Sequence, residues 1–265
     1  MDRRKPVVRD SAPTETPEGI IFGRNAVREL LKSGRPVDKI FVRRGDREGS
    51  INVIFAEAAE RKIPIVEVEK EKLDRMCCGG VHQGVAASAA QKEYVDVEDI
   101  LKIAEDRGEM PFIVILDGVE DPHNLGAVIR SADCAGAHGV IIPKRRSATL
   151  TSVVAKTSAG ALEHMAVAKV GNLATEIDKL KEKGVWIYSA EAGGESIYSA
   201  DLDRPSAFVF GSEGAGVSRL IKEKSDYIIS IPLYGEVNSL NVSAAAAVVL
   251  CEAAHSRHKS TVKGK

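Results

Sequence analysis

No apolar stretch in this chain reaches the ~18 residues that a membrane-spanning helix needs, so no span is expected. The opening MDRRKPVVRDSAP is basic but lacks the apolar core of a secretory signal. Cysteines are few: Cys77, Cys78, Cys134 and Cys251 form no CxxC pair, and vicinal Cys77–Cys78 is a poor disulfide framework. A reducing, cytoplasmic compartment is the expectation. The six histidines make no zinc pattern, and His255 and His258 in a basic tail read as a solvated pair, so no metal is expected. A net charge of −1 withholds the global signature of a nucleic-acid binder. GxGxxG is missing after the strand-like run ending at Leu116, and no Lys-Ser/Thr pair follows the glycine-rich GSEGAG, which removes two common phosphate cradles.

What remains is ordinary in bulk and uneven in detail. At 265 residues, 44% apolar and 28% charged, the chain is long enough for one or two well-buried domains. Basic residues gather in three places: Arg3, Arg4, Lys5 and Arg9; Lys144, Arg145 and Arg146; and Arg257, Lys259, Lys263 and Lys265. Such patches can meet phosphates on a protein of neutral net charge, or simply keep a tail soluble. Residues 1–18, rich in proline and charge, are expected to be disordered.

A small α/β domain is expected over 19–90. Ala26, Val27, Leu30 and Leu31 lie at helical spacing before Gly34, and the runs KIFVRR, PIVEV and GVAASAA read as strands around helices at 51–61 and 69–76. Acidic, amphipathic 91–110 reads as a connecting helix, with Val97, Ile100, Leu101 and Ala104 on one face. From 111 to 257 short continuous apolar runs (FIVIL, GVIIP, VWIYSA, AFVFG, YIISIP) alternate with helical segments at 124–136, 151–160, 172–183, 216–224 and 241–257. Strands buried on both faces look like this, so the second domain is α/β with a mainly parallel sheet. A basic tail, 258–265, follows.

Parallel sheets bind ligands at the C-terminal ends of their strands, which singles out the loops at 117–124, 211–216 and 232–241. In the first, Asn124 opens a helix, where it would be an ordinary cap. Arg130 falls off the Leu125/Val128/Ile129/Ala132 stripe and calls for an anionic or carbonyl partner, which Asp133 or a ligand could supply. In the second, Glu213 among glycines would repel a phosphate and suits an uncharged polar or cationic ligand approached by backbone. In the third, Ser239 and Asn241 flank Leu240 where a strand hands over to an alanine-rich helix.

The segments DPHNLGAVIRSADCAGAHGVI, FVFGSEGAGVSRL and IPLYGEVNSLNVSAAAAVVLCEA resemble, in order and spacing, the three motifs of the SpoU (TrmH-type) RNA ribose 2′-O-methyltransferases of the SPOUT superfamily. The front segments IFGRNAVRELL, KIFV and VHQGVAA are similar to the L30e-like RNA-binding domain of the branch acting on 23S ribosomal RNA. The resemblance implies a deep trefoil knot, a homodimer through the catalytic domain, and S-adenosylmethionine bent in the knot. It implies cofactor contacts at Gly211, Ile231, Pro232 and Leu240, with Gly211 admitting the ligand close to backbone. It implies a polar active-site set of Asn124, Arg130, Glu213, Ser239 and Asn241. Because a guanidinium scarcely gives up its proton, Arg130 reads as a clamp on phosphate and developing alkoxide, not as a base. Asn124, Ser239 and Asn241 would orient the ribose, and Glu213 would fix the loop or Arg130. Arg24, Asn25, Arg43 and Arg44 are the expected RNA contacts of the front domain. Transfer RNA is the alternative substrate, and a non-catalytic RNA-binding factor is the rival class, disfavoured by the complete polar set.

Overall fold

A computed structural model describes residues 19–263, with side chains as far as residue 258; both expected basic tails lie largely outside that range. The chain divides into two compact units, with the boundary after Gln91. No helix among the described residues is long and apolar enough to cross a membrane.

The first unit holds β1 (Ile20–Phe22), α1 (Arg24–Ser33), β2 (Val37–Arg43), α2 (Ser50–Glu60), β3 (Ile65–Val68), α3 (Lys70–Met76) and β4 (Val85–Ala89). Its sheet runs β1-β4-β2-β3, with β2 and β3 parallel and the other pairs antiparallel. All four apolar positions of α1 are buried, and Gly34 ends the helix at φ +79°, a conformation glycine adopts without steric cost. Three-residue β1 was too short to leave a pattern in the sequence.

The second unit holds α4 (Val97–Arg107), β5 (Phe112–Asp117), α5 (Pro122–Ala135), β6 (Gly139–Pro143), α6 (Ser152–Thr157), a 3-10 turn (Ala161–Glu163) and β7 (Ala166–Val170). It continues with α7 (Leu173–Glu182), β8 (Trp186–Ser196), β9 (Ser206–Gly211), α8 (Arg219–Lys224), β10 (Tyr227–Ser230) and α9 (Val242–Lys263). Six parallel strands lie in the order β10-β8-β9-β5-β6-β7. The apolar runs are the strands, because helices cover the sheet and leave no face for polar residues. Leu125, Val128, Ile129 and Ala132 of α5 are fully buried; each of the three larger side chains contributes about 1.5–3 kcal/mol.

Besides the strands β1, β7 and β8, two helices differ from expectation. Residues 97–107, read as a connection, form a helix that packs into the second unit. Val97, Ile100 and Ala104 are buried, and a Cβ on Gly139 of β6 would fall 2.6 Å from the Ile100 side chain. The last helix does not stop at 257 but continues to Lys263.

Candidate active site

The C-terminal ends of β5, β8, β9 and β10 gather the three loops singled out above. Asp121, not Asn124, caps α5: its carboxylate accepts the His123 N–H at 2.8 Å, and Pro122 takes the first helical position, where no amide hydrogen is needed. Asn124 is thereby freed for other bonds. It is 7% exposed, and its Nδ2 donates to Glu213 Oε1 at 2.9 Å. Asn241 Nδ2 donates both to Asn124 Oδ1, at 3.1 Å, and to the same Glu213 oxygen. Residues 117 positions apart thus meet on one carboxylate oxygen. Glu213 Oε2 has no hydrogen-bond partner among the described residues.

Asn241 does a second job at the same time. Its Oδ1 accepts the Ser243 N–H at 2.9 Å and the Ala244 N–H at 3.4 Å, capping α9. The amide has one face for a helix end and the other for the cluster, so neither reading excludes the other.

A cleft of about 830 Å³ opens beside this cluster, within the range of small-molecule sites. Ile229, Ile231, Leu233, Leu240 and Ala245 give it apolar walls, and residues 211–216 present backbone. Gly211, Ser239, Asn241 and Glu213 line it as well, whereas Pro232 does not. An apolar slot edged by peptide groups fits a flat heteroaromatic ring with a polar rim, so the residues present suit an adenosyl group.

Gly211 is required by the packing of its own loop as well. A Cβ there would lie 1.9 Å from the carbonyl carbon of Gly216, before any ligand is considered. The loop folds back on itself through Ser212 N–H to Gly216 O at 3.2 Å and Gly216 N–H to Ser212 O at 3.0 Å. Behind it stands Glu191 of β8, a residue the sequence did not single out. Its Oε1 accepts the Val217 N–H and sits where a Gly216 Cβ would be, while Lys222 approaches its Oε2 at 3.7 Å. Glu191 therefore pins the glycine loop from the side opposite Asn124. Only an acid set among the small residues of SAEAGG hinted at it.

A second cleft, of about 810 Å³, lies across the same loop. Asn124, Glu213, Asp117, Arg145 and Arg146 line it, and Ser212, Glu213, Ala215, Gly216 and Val242 belong to both clefts. The 212–216 loop is the partition between them.

Arg130 stands apart. It is exposed on α5, lines neither cleft, and has no hydrogen-bond or ion-pair partner among the described residues, Asp133 included. The pairing its apolar neighbours called for is absent because the side chain leaves the helix toward solvent. Arg257, grouped with the basic tail in sequence, is a further correction. It is half-buried against Phe112, donates to the carbonyls of Met110, Pro111 and Arg204, and desolvation lowers its pKa.

In the first unit, Arg24 and Arg43 converge on Asp46, at 3.4 and 3.3 Å, and that carboxylate is 7% exposed. Arg24 also donates to the Gln83 carbonyl at 3.0 Å. Arg44 pairs with Glu69 at 2.6 Å with both partners open to solvent, and Asn25 is exposed. Among the described residues no three His, Cys, Asp or Glu side chains gather as a metal site.

Comparison with known proteins supplies the remaining context. Residues 111–251 match the model of the SpoU rRNA Methylase family, and residues 20–95 match that of the RNA 2′-O ribose methyltransferase substrate binding domain. A putative TrmH family tRNA/rRNA methyltransferase of Staphylococcus haemolyticus is 47% identical over 91% of this chain and 96% of its own length. YacO of Bacillus subtilis, described in the same words, is 44% identical over 90% and 96%. Among solved structures, the SpoU methyltransferase AviRb from Streptomyces viridochromogenes, in complex with AdoMet, superposes with a TM-score of 0.76. It covers 91% of this chain and 90% of that one at 22% identity.

Proposed function

The chain belongs to the SpoU rRNA methylase family, a family of RNA methyltransferases, and we propose that it methylates a ribose 2′-hydroxyl in RNA. S-adenosylmethionine is the donor in this reading, and a guanosine of 23S ribosomal RNA is the target. The observation that carries the proposal is the Asn124–Glu213–Asn241 cluster on the rim of an apolar cleft at the C-terminal edge of a parallel sheet.

Ile231 and Leu240 would hold the adenine, with the backbone of the 211–216 loop around the remainder of the cofactor. Bound there, the cofactor supplies a methyl group on a sulfonium, an electrophile that needs no further activation. The work left to the chain is orientation and proton management. Fixing the hydroxyl in line can be worth up to ~7–11 kcal/mol of barrier in favourable cases. Asn124 and Asn241 lock Glu213 Oε1, which leaves Oε2 as the free lone pairs of the cluster. Glu213 Oε2 would take the hydroxyl proton as the O–C bond forms and the methyl–sulfur bond breaks, its electron pair leaving with sulfur as a neutral thioether, and Ser239, on the same cleft, would orient the ribose.

Arg130 can reach a reacting ribose only if its face of α5 meets a second copy of the chain. The face it belongs to is suited to that. α5 and α9 pack side by side, and α9 turns Ala244, Val248, Cys251 and His255 outward at four-three-four spacing. A homodimer through this face and a clamp role for Arg130 are therefore one proposal, and sedimentation of the intact protein as a monomer would remove both. The knotted threading of the 231–241 segment, an L30e-like RNA-binding role for the first unit and a cytoplasmic location belong to the same reading. In that unit Arg44 and Asn25 are the groups most open to RNA, since Arg24 and Arg43 already share Asp46.

Incubation with methyl-labelled cofactor and ribosomal RNA tests the proposal. Label is expected in alkali-resistant dinucleotides, the signature of a 2′-O-methyl group. Label in bases, in transfer RNA alone, or in no RNA overturns the corresponding part of the reading.

A further inference from the structure

The second cleft is not accounted for by cofactor binding. We propose that it holds the phosphodiester adjoining the target nucleotide, through Arg145 and Arg146. This inference rests on the reading of the chain as an RNA methyltransferase and names where the substrate backbone lies.

Both arginines line the cleft, both are exposed, and neither has a hydrogen-bond or ion-pair partner among the described residues. Arg24, Arg43, Arg44, Arg204 and Arg257, by contrast, are engaged within the fold. Their loop is not loose. Lys144 N–H donates to Val170 O at 2.8 Å, Ala148 N–H to Val119 O at 2.9 Å, and Leu150 N–H to the Tyr94 hydroxyl at 3.1 Å. Between these pins Arg146 is held at φ +53°, in the left-handed region that side chains with a Cβ seldom occupy. A pinned loop that carries two unpaired planar guanidiniums into a cleft is prepared for an anion that offers two acceptor oxygens, as a phosphodiester does.

The carboxylates of the cleft limit which anion. Asp117, Glu120 and Asp121 line it too, as does Glu213 on the partition. Asp117 is engaged by the Ser218 N–H at 2.8 Å and Asp121 by the His123 N–H, but their charge remains. A polyphosphate would be repelled by them, whereas one phosphodiester on the two arginines, with neutral ribose toward Glu213, meets both signs correctly. The N-terminus of α7 also borders the cleft, yet Asn172 already accepts its Ala174 and Thr175 N–H groups, so it adds no anion site. Glu213 faces both clefts, which sets a ribose in the second beside a methyl donor in the first.

The test uses full-length Arg145→Ala/Arg146→Ala, with Lys179→Ala/Lys183→Ala, on α7 and at its C-terminal cap, as a control of equal charge loss. Thermal melting and cofactor titration are expected to match the parent, since both arginines are exposed and unpaired. The value of kcat/KM for ribosomal RNA should fall about 10–100-fold through KM, and the control should not follow. Binding of a fluorescein-labelled RNA hairpin should lose about 0.7–0.9 from its log–log salt slope, the share of one neutralised phosphate. An unchanged salt slope and hairpin affinity within twofold of the parent overturn the phosphate site. If the parent methylates no RNA, the methyltransferase reading fails instead, and the hairpin titration still decides the site.

Discussion

The two ends of the six-stranded sheet use the same kinds of residue for opposite purposes. At the N-terminal end, Arg257 saturates itself on three carbonyls and the Ser206 hydroxyl. His138, 3% exposed, accepts the Phe112 N–H at 2.9 Å and meets Glu109 through its other nitrogen. Every polar group named there has found a partner within the fold. At the C-terminal end Arg145 and Arg146 have none, Glu213 keeps one oxygen open, and Ser239 is exposed. A folded chain leaves polar capacity open where something else will fill it, and closes it where only the fold is at stake. The first unit resembles the closed end: Asp46, almost buried, ties down two arginines that look free in the sequence.

The sharpest way to break this contrast is at Asn241, which serves both purposes. Asparagine and aspartate cap helices about equally, so Asn241→Asp should cost less than about 1 kcal/mol of α9 stability. The same change sets a carboxylate against Glu213 Oε1 and removes both amide donations. Methyl transfer is expected to fall by at least about 100-fold while the melting temperature barely moves. A variant that unfolds as much as it loses activity would mean the cluster is structural after all.

Arg257→Ala is the mirror image and should show the next largest effect. It orphans carbonyls at Met110, Pro111 and Arg204 and strips the cover from Phe112. About 3 kcal/mol of stability should go, or roughly 6–12 °C in Tm for a unit of this size. Below the transition kcat should stay within a few-fold of the parent; a selective loss of activity would move Arg257 into the working end.

The strands were legible because burial on both faces writes an unbroken apolar run. β5, β6 and β9 follow that rule, and β10, an edge strand with only Ile229 buried, shows an apolar run all the same. β7 escaped because it lies at the sheet edge and AVAKV carries a lysine that an edge strand can turn to solvent. β8 runs on through Gly193 and Gly194, which read as a turn. Gly194 is needed within the sheet instead, since a Cβ there would meet Ile228 O at 2.4 Å. Within the site, Asn124, Glu213 and Asn241 could be picked out as polar residues at strand ends, but not their sharing of one oxygen. Asp121 was missed as the cap because the motif drew attention to Asn124. Glu191 was missed because its partners, Gly216 and Val217, lie more than twenty residues on. Arg145 and Arg146 were visible as charge, and Arg257 looked the same; burial, which a sequence does not print, separates them.

The smallest effect tests the closed end from the side of pH. Burial is the main cause that holds the His138 pKa below its ordinary 6.5, against Glu109, which raises it; Arg107 and Arg257 add to the lowering. The unfolded chain therefore takes up the proton first as pH falls. Stability from neutral His138 is complete above about 6.5 and declines as pH drops toward the folded-state value. Denaturant melts between pH 7 and 5 should show this decline in the parent and a flatter profile in His138→Gln, whose amide can still meet Phe112 but cannot titrate. The open end should be indifferent to the change, so that kcat at pH 7.5 stays with the parent. A parent that instead gains stability as pH falls would mean that His138 is protonated in the fold through Glu109, and that the base of the sheet holds an ion pair in place of a neutral ring.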